Sequence, residues 1–208
     1  MNFLAHLHLA GDDEGLTLGA MLGDFLRGDT DSMPVPASVR RGILLHRHID
    51  QFLDTLQEIS QLREAFDPPF RRYSGIIIDL AFDHHLALRW KEFSSVRLRQ
   101  FDRNVRALLA RHKFLLPRGL TSFMRYADRR GLFAAYRSED EILFSLHGIG
   151  RRLTRPNPLH RVEEIWPDVK PLTGRAFGPV FSQVRRSVLE WCEAQPVDAN
   201  LAGLDRVG

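Results

Sequence analysis

Helical periodicity is the feature that most limits how this chain can fold. Residues 38–59 and 73–92 each carry apolar side chains spaced three or four apart over several turns, and no segment shows a strand ladder. The same spacing predicts further helices at 15–27, 95–112, 117–130, 139–153 and 175–194. Ser138, followed by Glu141 three residues later, resembles a capping box at one helix start. Residues 154–174 are rich in proline and are predicted to form a loop with at most one short helical turn.

These helices predict one all-α domain, a helical bundle covering residues 1–195, with a flexible tail at 196–208. The chain has 208 residues, of which 44% are hydrophobic, so it is long enough for a single core without cross-links. Its one cysteine, Cys192, cannot form an internal disulfide. No apolar run approaches the roughly 18 residues that a membrane helix needs, and no signal peptide is evident. We therefore expect a cytoplasmic protein without a membrane partner.

The charge is nearly balanced, at a formal +3, which does not favour bulk nucleic-acid binding, and no nucleic-acid motif is present. Of the 29 basic residues only Lys91, Lys113 and Lys170 are lysine, which leaves 26 arginines. The planar guanidinium of arginine binds phosphates and carboxylates through two parallel hydrogen bonds, which a lysine ammonium does not. A local basic patch for an acidic partner is therefore compatible with this composition.

Two carboxylates lie in the most apolar predicted helix. Asp79 and Asp83 are one turn apart within 73–92, in otherwise hydrophobic company. A buried carboxylate is costly unless it is paired or binds a metal, and two of them one turn apart repel each other. From the residues alone, a cation between them and a core cluster bridged by arginines (Arg47, Arg71 or Arg72) are equally open interpretations.

Further acid and imidazole groups share this pattern. His46, Asp50 and Asp54 form one stripe at i, i+4 and i+8 on a predicted helix. Asp24 and His6 lie in apolar segments, and His84 directly follows Asp83. Such oxygen and nitrogen ligands, without a thiolate, suit Mn²⁺, Mg²⁺, Fe²⁺ or Zn²⁺. The simpler alternative is that His46 and Asp50 are a surface hydrogen-bonded pair and that Asp54 is solvated. Neither a phosphate-binding glycine loop nor a serine or cysteine nucleophile motif is present.

The motifs around these residues resemble the bacterial acyl carrier protein phosphodiesterases. The resemblance rests on the opening MNFLAHLHLA at 1–10, on LGDF at 22–25 and on LHRHIDQF at 45–52, which matches Leu-His-Arg-x-Ile-Asp-x-Phe. It continues in RRYSGIIID at 71–79 and FDHHLA at 82–87. It is strong over about residues 1–95 and weaker, through helix layout, to about 190. Ala20 and Leu53 depart from the pattern, where asparagine and threonine are expected.

This resemblance implies a fold and an activity. The family is a distant all-α relative of the HD-type metal-dependent phosphohydrolases. Its members cleave the phosphodiester that joins 4′-phosphopantetheine to a serine of holo-acyl carrier protein, with a divalent cation, Mn²⁺ or Mg²⁺. Two other hypotheses remain open at this point. The same metal site could act on a nucleotide or another small phosphodiester, or the chain could be a non-catalytic helical module that binds an acidic protein or RNA.

On the matched positions, the resemblance suggests roles for individual residues. The metal-ligand candidates are His6, His46, Asp50, Asp79 and Asp83. The catalytic candidates are Asp24, His84, Arg47 and Arg72, with His84 as a proton donor or ligand-orienting group and the arginines as phosphate clamps. If the chain is such a phosphodiesterase, Arg27, Arg40 and Arg41, outside the matched motifs, are candidates for binding the acidic carrier protein.

Overall fold

The fold is built from helices around one hydrophobic core, as the periodicity predicted. The computed structural model describes residues 2–117, 119–120 and 133–195, and no strand occurs in these ranges. The α-helices are α1 (Phe3–Leu9), α2 (Glu14–Leu22), α3 (Ala37–Thr55), α4 (Gln57–Glu64), α5 (Ser74–Leu88), α6 (Trp90–Phe93), α7 (Leu98–Arg111), α8 (Glu139–Arg152) and α9 (Trp166–Ala194). Short 3-10 helices lie at Arg71–Tyr73, Lys113–Leu115, Ala134–Arg137 and Leu159–Glu164. Most of the predicted helix at 117–130, and the predicted tail at 196–208, lie outside the described residues.

Two predicted helices are each divided in two. The segment 38–59 breaks at Leu56, whose extended backbone (ψ 128°) ends α3 and begins α4. The turn keeps Leu53 and Ile59, on either side of the break, in the core. The segment 73–92 breaks at Arg89, between α5 and α6. Apolar spacing does not reveal such breaks, because the buried side chains continue across them.

The last helix is longer than predicted. The proline-rich segment 166–174 is helical and not a loop, because α9 already starts at Trp166. Pro167 lies in the first turn, where the missing N–H would have no helical partner in any case. Pro171 and Pro179 lie inside the helix, and burial of Val169 and Thr173 against the core keeps this stretch helical. The start of α8 at Glu139 agrees with the prediction, although the Ser138 side chain makes no capping hydrogen bond.

The core is centred on α5, which packs against α1, α4, α8 and α9. Ile77 and Phe82 are almost completely buried, and the Phe82 ring meets Phe177 of α9 edge to face at 5.7 Å. Helices α2 and α3 form the most extensive helix pair. A Cβ at Gly19 would lie 2.1 Å from the Val39 carbonyl oxygen, so glycine permits this close approach. None of the helices in the described part of the chain is long and apolar enough to cross a membrane.

Candidate metal and phosphodiester site

Helices α1 and α3 bring two histidines and one aspartate together. The carboxylate of Asp50 bridges two imidazoles, with 3.1 Å from Oδ1 to His6 Nε2 and 3.2 Å from Oδ2 to His46 Nε2. The two rings are stacked with their centroids 4.0 Å apart. His46 and Asp50 are neighbours because they are one turn apart on α3, whereas His6 arrives from α1 through the fold.

The segment after α2 supplies the next carboxylate and holds His46 in place. Asp24 Oδ1 lies 3.5 Å from His46 Nε2. A Cβ at Gly23 would lie 2.3 Å from Cγ of the His46 ring, so a glycine is needed for the chain to pass this closely. His46 Nδ1 lies 2.8 Å from the Ala20 carbonyl oxygen. Because a carbonyl can only accept, Nδ1 carries a proton, and Nε2 is the atom that faces the carboxylates.

The histidines and aspartates of this cluster shift one another's pKa values in the metal-free protein. Burial lowers the pKa of His46, but hydrogen bonds with Asp24 and Asp50 outweigh it and raise the pKa to about 9. Burial raises the pKa of Asp50, but hydrogen bonds with His46 and His6 outweigh it and hold the pKa well below the usual range. Burial also lowers the pKa of His6. In the metal-free protein these shifts favour a protonated His46 imidazole beside the ionised carboxylate of Asp50.

The donor set fits a divalent metal ion. One ligand atom each from His6, His46 and Asp50 lie within 4.8 Å of one another, and both histidines are buried. Two imidazole nitrogens with a carboxylate are common ligands of divalent transition metals. Metal-binding histidines usually donate their other ring N–H to a carbonyl or carboxylate, which fixes the ring orientation, and the hydrogen bond from His46 Nδ1 to the Ala20 carbonyl is of this kind.

A cavity of about 260 Å³ opens beside this cluster. Asp24 and Asp50 line it from one side and Asp79 of α5 from another, with Asp54 and Arg63 also in its wall. The side chains of Asp24 and Asp50 are about half exposed, at 49% and 48%, so a ligand in the cavity can reach both. The arrangement combines a possible metal site, further carboxylates and room for a small substrate group.

Comparison with known protein families gives a match over most of the chain. The family model for "Acyl carrier protein phosphodiesterase" matches residues 1–184, a range that includes every residue of the cluster and the cavity. This chain belongs to the acyl carrier protein phosphodiesterase family. A relative of that name from Enterobacter sp. (strain 638) is 34% identical over 173 residues, covering 81% of this chain and 86% of the relative.

Two other acyl carrier protein phosphodiesterases are similar to this chain over different lengths. The protein of that name from Escherichia coli O6:H1 is 33% identical over 170 residues, 81% of this chain and 86% of its own length. The one from Pectobacterium atrosepticum is 44% identical over 90 residues, 43% of this chain and 46% of its own length. No solved structure matches the chain significantly, so the expected likeness to HD-type phosphohydrolases stays a prediction.

Asp83, predicted as a metal ligand, has a different set of partners. Its carboxylate oxygens accept hydrogen bonds from the backbone N–H groups of Leu4 (2.8 Å) and Ala5 (3.1 Å), at the first turn of α1. Burial raises its pKa to about 7. It lies outside the cluster of His6, His46 and Asp50. In this structure Asp83 anchors the helix that carries His6.

In the described part of the chain, the cavity wall does not include the predicted proton donor, His84, or the predicted phosphate-binding arginines, Arg47 and Arg72. His84 Nδ1 donates to the Tyr136 carbonyl at 2.7 Å, and its ring lies 6.0 Å from that of Trp166. Arg47 donates to the Leu26 carbonyl at 3.1 Å, and Arg72 is exposed on the turn before α5. The catalytic roles of these three residues stay predictions.

The predicted carrier-binding arginines lie near the start of α3 and just before it. Arg27 is exposed, and Arg40 donates to the Met33 carbonyl at 3.3 Å. Arg41 lies over the Trp191 ring, 5.6 Å from its centroid, and donates to the Gln195 carbonyl. Sequence analysis did not single out Arg63, which contacts Asp54 in the cavity wall. The two residues are nine apart across the break at Leu56, so helical spacing could not pair them.

Proposed function

We propose that this chain hydrolyses the phosphodiester linking 4′-phosphopantetheine to a serine of holo-acyl carrier protein. The products would be apo-acyl carrier protein and 4′-phosphopantetheine. The observation that supports this most is the cavity lined by Asp24, Asp79 and Asp50, the last of which also belongs to the cluster with His6 and His46. This combination of imidazoles and carboxylates beside an open space suits phosphodiester hydrolysis, and it lies within the part of the chain that matches the family.

We propose Mn²⁺ or Mg²⁺ as the cofactor, held by His6, His46 and Asp50 with Asp79 as a further ligand. When bound, such a cation neutralises charge on the phosphoryl oxygens and makes water more acidic. The protein holds these ligands ready, because Asp50 bridges the two imidazoles and His46 is fixed through Nδ1.

Asp24 is the residue best placed to take a proton from the attacking water. Burial raises its pKa, but its hydrogen bond with His46 outweighs this and lowers the pKa, so the carboxylate is ionised at neutral pH. It is half exposed to the cavity, where water can approach. In the proposed reaction the water oxygen bonds to phosphorus, the bond from phosphorus to the serine oxygen breaks, and that oxygen takes up a proton.

The carrier protein would approach the arginines near the start of α3. Acyl carrier proteins are acidic, so attraction by Arg27, Arg40 and Arg41 would speed encounter and weaken as salt increases. We place the reaction in the cytoplasm, the location predicted from the sequence.

Mass spectrometry of the carrier protein tests this function. Holo-acyl carrier protein is incubated with the chain and Mn²⁺, with Mg²⁺, or with a chelator, beside a panel of nucleotides and small phosphodiesters. We expect loss of the phosphopantetheine mass only when a cation is present, and little turnover of the small substrates. Efficient hydrolysis of a nucleotide with intact holo-carrier would instead support the alternative phosphohydrolase. Conversion unaffected by the chelator would contradict the metal assignment.

A further inference from the structure

The cavity wall contains an arginine that no motif pointed to. Arg63 lies in the last turn of α4, and its side chain is 45% exposed. Its Nη2 donates to Asp54 Oδ1 at 2.7 Å. Asp54 belongs to the last turn of α3, so this contact bridges the break at Leu56, and both residues line the cavity.

The charge around the cavity is strongly unbalanced. Four carboxylates contribute to its wall, those of Asp24, Asp50, Asp54 and Asp79. Among the described residues that line it, Arg63 is the one with a cationic side chain. A phosphodiester is an anion, so it enters this space only if positive charge offsets the carboxylates. A cation held by His6, His46 and Asp50 would supply part of that charge, and Arg63 supplies more from the cavity wall beside Asp54.

A guanidinium group is well suited to binding a phosphodiester in this cavity. A planar fork can give two parallel N–H bonds to phosphate oxygens, which a lysine cannot reproduce. The contact with Asp54 uses Nη2, and the fork also carries N–H donors on Nε and Nη1. The arginines predicted from the motifs are less well placed, because Arg47 is bonded to the Leu26 carbonyl and neither it nor Arg72 lines the cavity.

We propose that Arg63 binds the phosphate of the substrate in this cavity, and that Asp54 is a positioning residue that orients the guanidinium. This inference rests on the proposed function, since it concerns the phosphodiester that the site would hydrolyse. It assigns substrate binding to α4, a helix outside the motifs that identify the family.

Variants of Arg63 test the proposal, with Arg161→Ala as the matched control. Arg161 makes a similar exposed ion pair, with Glu164, but does not line the cavity. For Arg63→Ala we expect kcat/KM on holo-acyl carrier protein to fall about 100-fold. Arg63→Lys keeps the charge without the fork, and we expect a loss of about tenfold. Inhibition by the product 4′-phosphopantetheine should weaken in parallel, whereas Mn²⁺ affinity and the midpoint of urea unfolding should match those of the wild type.

Asp54→Ala and the double variant with Arg63→Ala test the positioning role. Alone, Asp54→Ala should raise KM about fivefold with little change in kcat, and in the Arg63→Ala background it should cause no further loss, because the group it orients is gone. Unchanged kcat/KM and product inhibition in Arg63→Ala would overturn the proposal while leaving the proposed function intact. Additive effects of the two substitutions would overturn the role of Asp54. Failure of the wild-type protein to release phosphopantetheine would instead overturn the proposed function itself.

Discussion

Asp50 and Asp83 are both aspartates within helices, yet their surroundings give them opposite properties. Asp50 bridges two imidazoles at the edge of a cavity and is about half exposed. Asp83 is completely buried and accepts hydrogen bonds from two backbone N–H groups. Burial acts on both, but the imidazoles hold the pKa of Asp50 low, whereas burial raises that of Asp83 to about 7.

Helix α1 connects these two environments. Asp83 binds the N–H groups of Leu4 and Ala5 and so fixes where the helix begins. The next residue, His6, then lies against Asp50. The difference teaches that an acid in an apolar helix can serve structure or chemistry, depending on which donors face it. It predicts that removing Asp50 affects activity most, and that removing Asp83 affects stability most.

The largest expected effect is that of Asp50→Ala on turnover. The variant lacks the carboxylate that bridges the two histidines, so we expect phosphopantetheine release to fall at least about 1000-fold and Mn²⁺ binding to weaken strongly. Its free energy of unfolding without metal should change by only about 1 kcal/mol, since the Asp50 side chain itself is about half exposed. Turnover by mass spectrometry and Mn²⁺ titration calorimetry measure both, with the exposed Asp67→Ala as control. Near-normal turnover would contradict a role of Asp50 in the reaction.

The next effect is that of Asp83→Ala on stability. The substitution leaves two N–H groups of α1 unsatisfied in the core, so we expect the free energy of unfolding to fall by about 3 kcal/mol. Asp13→Ala is the matched control, because Asp13 caps α2 through Leu16 N but is exposed, and we expect a loss of about 1 kcal/mol. Urea unfolding followed by circular dichroism measures both. Equal losses would show that burial of the Asp83 cap adds nothing.

The smallest effect is a pH dependence of stability in the metal-free protein. The pKa of His46 is about 9 in the fold against 6.5 without interactions, so the folded state binds the extra proton. This contribution is complete below pH 6.5 and is lost as pH rises to 9. We expect the loss of this contribution to lower the free energy of unfolding by about 2 kcal/mol between pH 6.5 and 9.

In His46→Gln the free energy of unfolding should fall less steeply with rising pH. Urea unfolding of chelator-treated protein at several pH values measures this slope. His112→Gln is a control, since His112 lies on the surface near Glu14. The burial effect on Asp83 acts mainly at lower pH, from 3.8 to 7, and it contributes equally to the slopes being compared because both variants retain Asp83. An unchanged slope in His46→Gln would mean that the carboxylates around His46 do not hold its proton.

Several features could be predicted from the sequence because they depend on local spacing. The 3.6-residue period determined the all-helical fold and most helix positions, and the four-residue spacing placed His46 beside Asp50 on one face. The chemical types of the candidate metal ligands follow from composition. The short helix α1 was not predicted, because seven residues with alternating histidines carry too little periodicity, and the helical stretch at 166–174 was predicted as a loop from its prolines.

The tertiary structure decided which of these groups meet. It brought His6 and Asp24 to His46, placed Asp79 at the cavity and paired Asp83, one turn further on, with the backbone of α1. It also placed Arg63 opposite Asp54 across a helix break. The physical reason is that helical spacing fixes neighbours only within one helix. Contacts between helices depend on how the apolar faces pack and on close approaches such as the one at Gly23, which the pattern of residues along the chain does not encode locally.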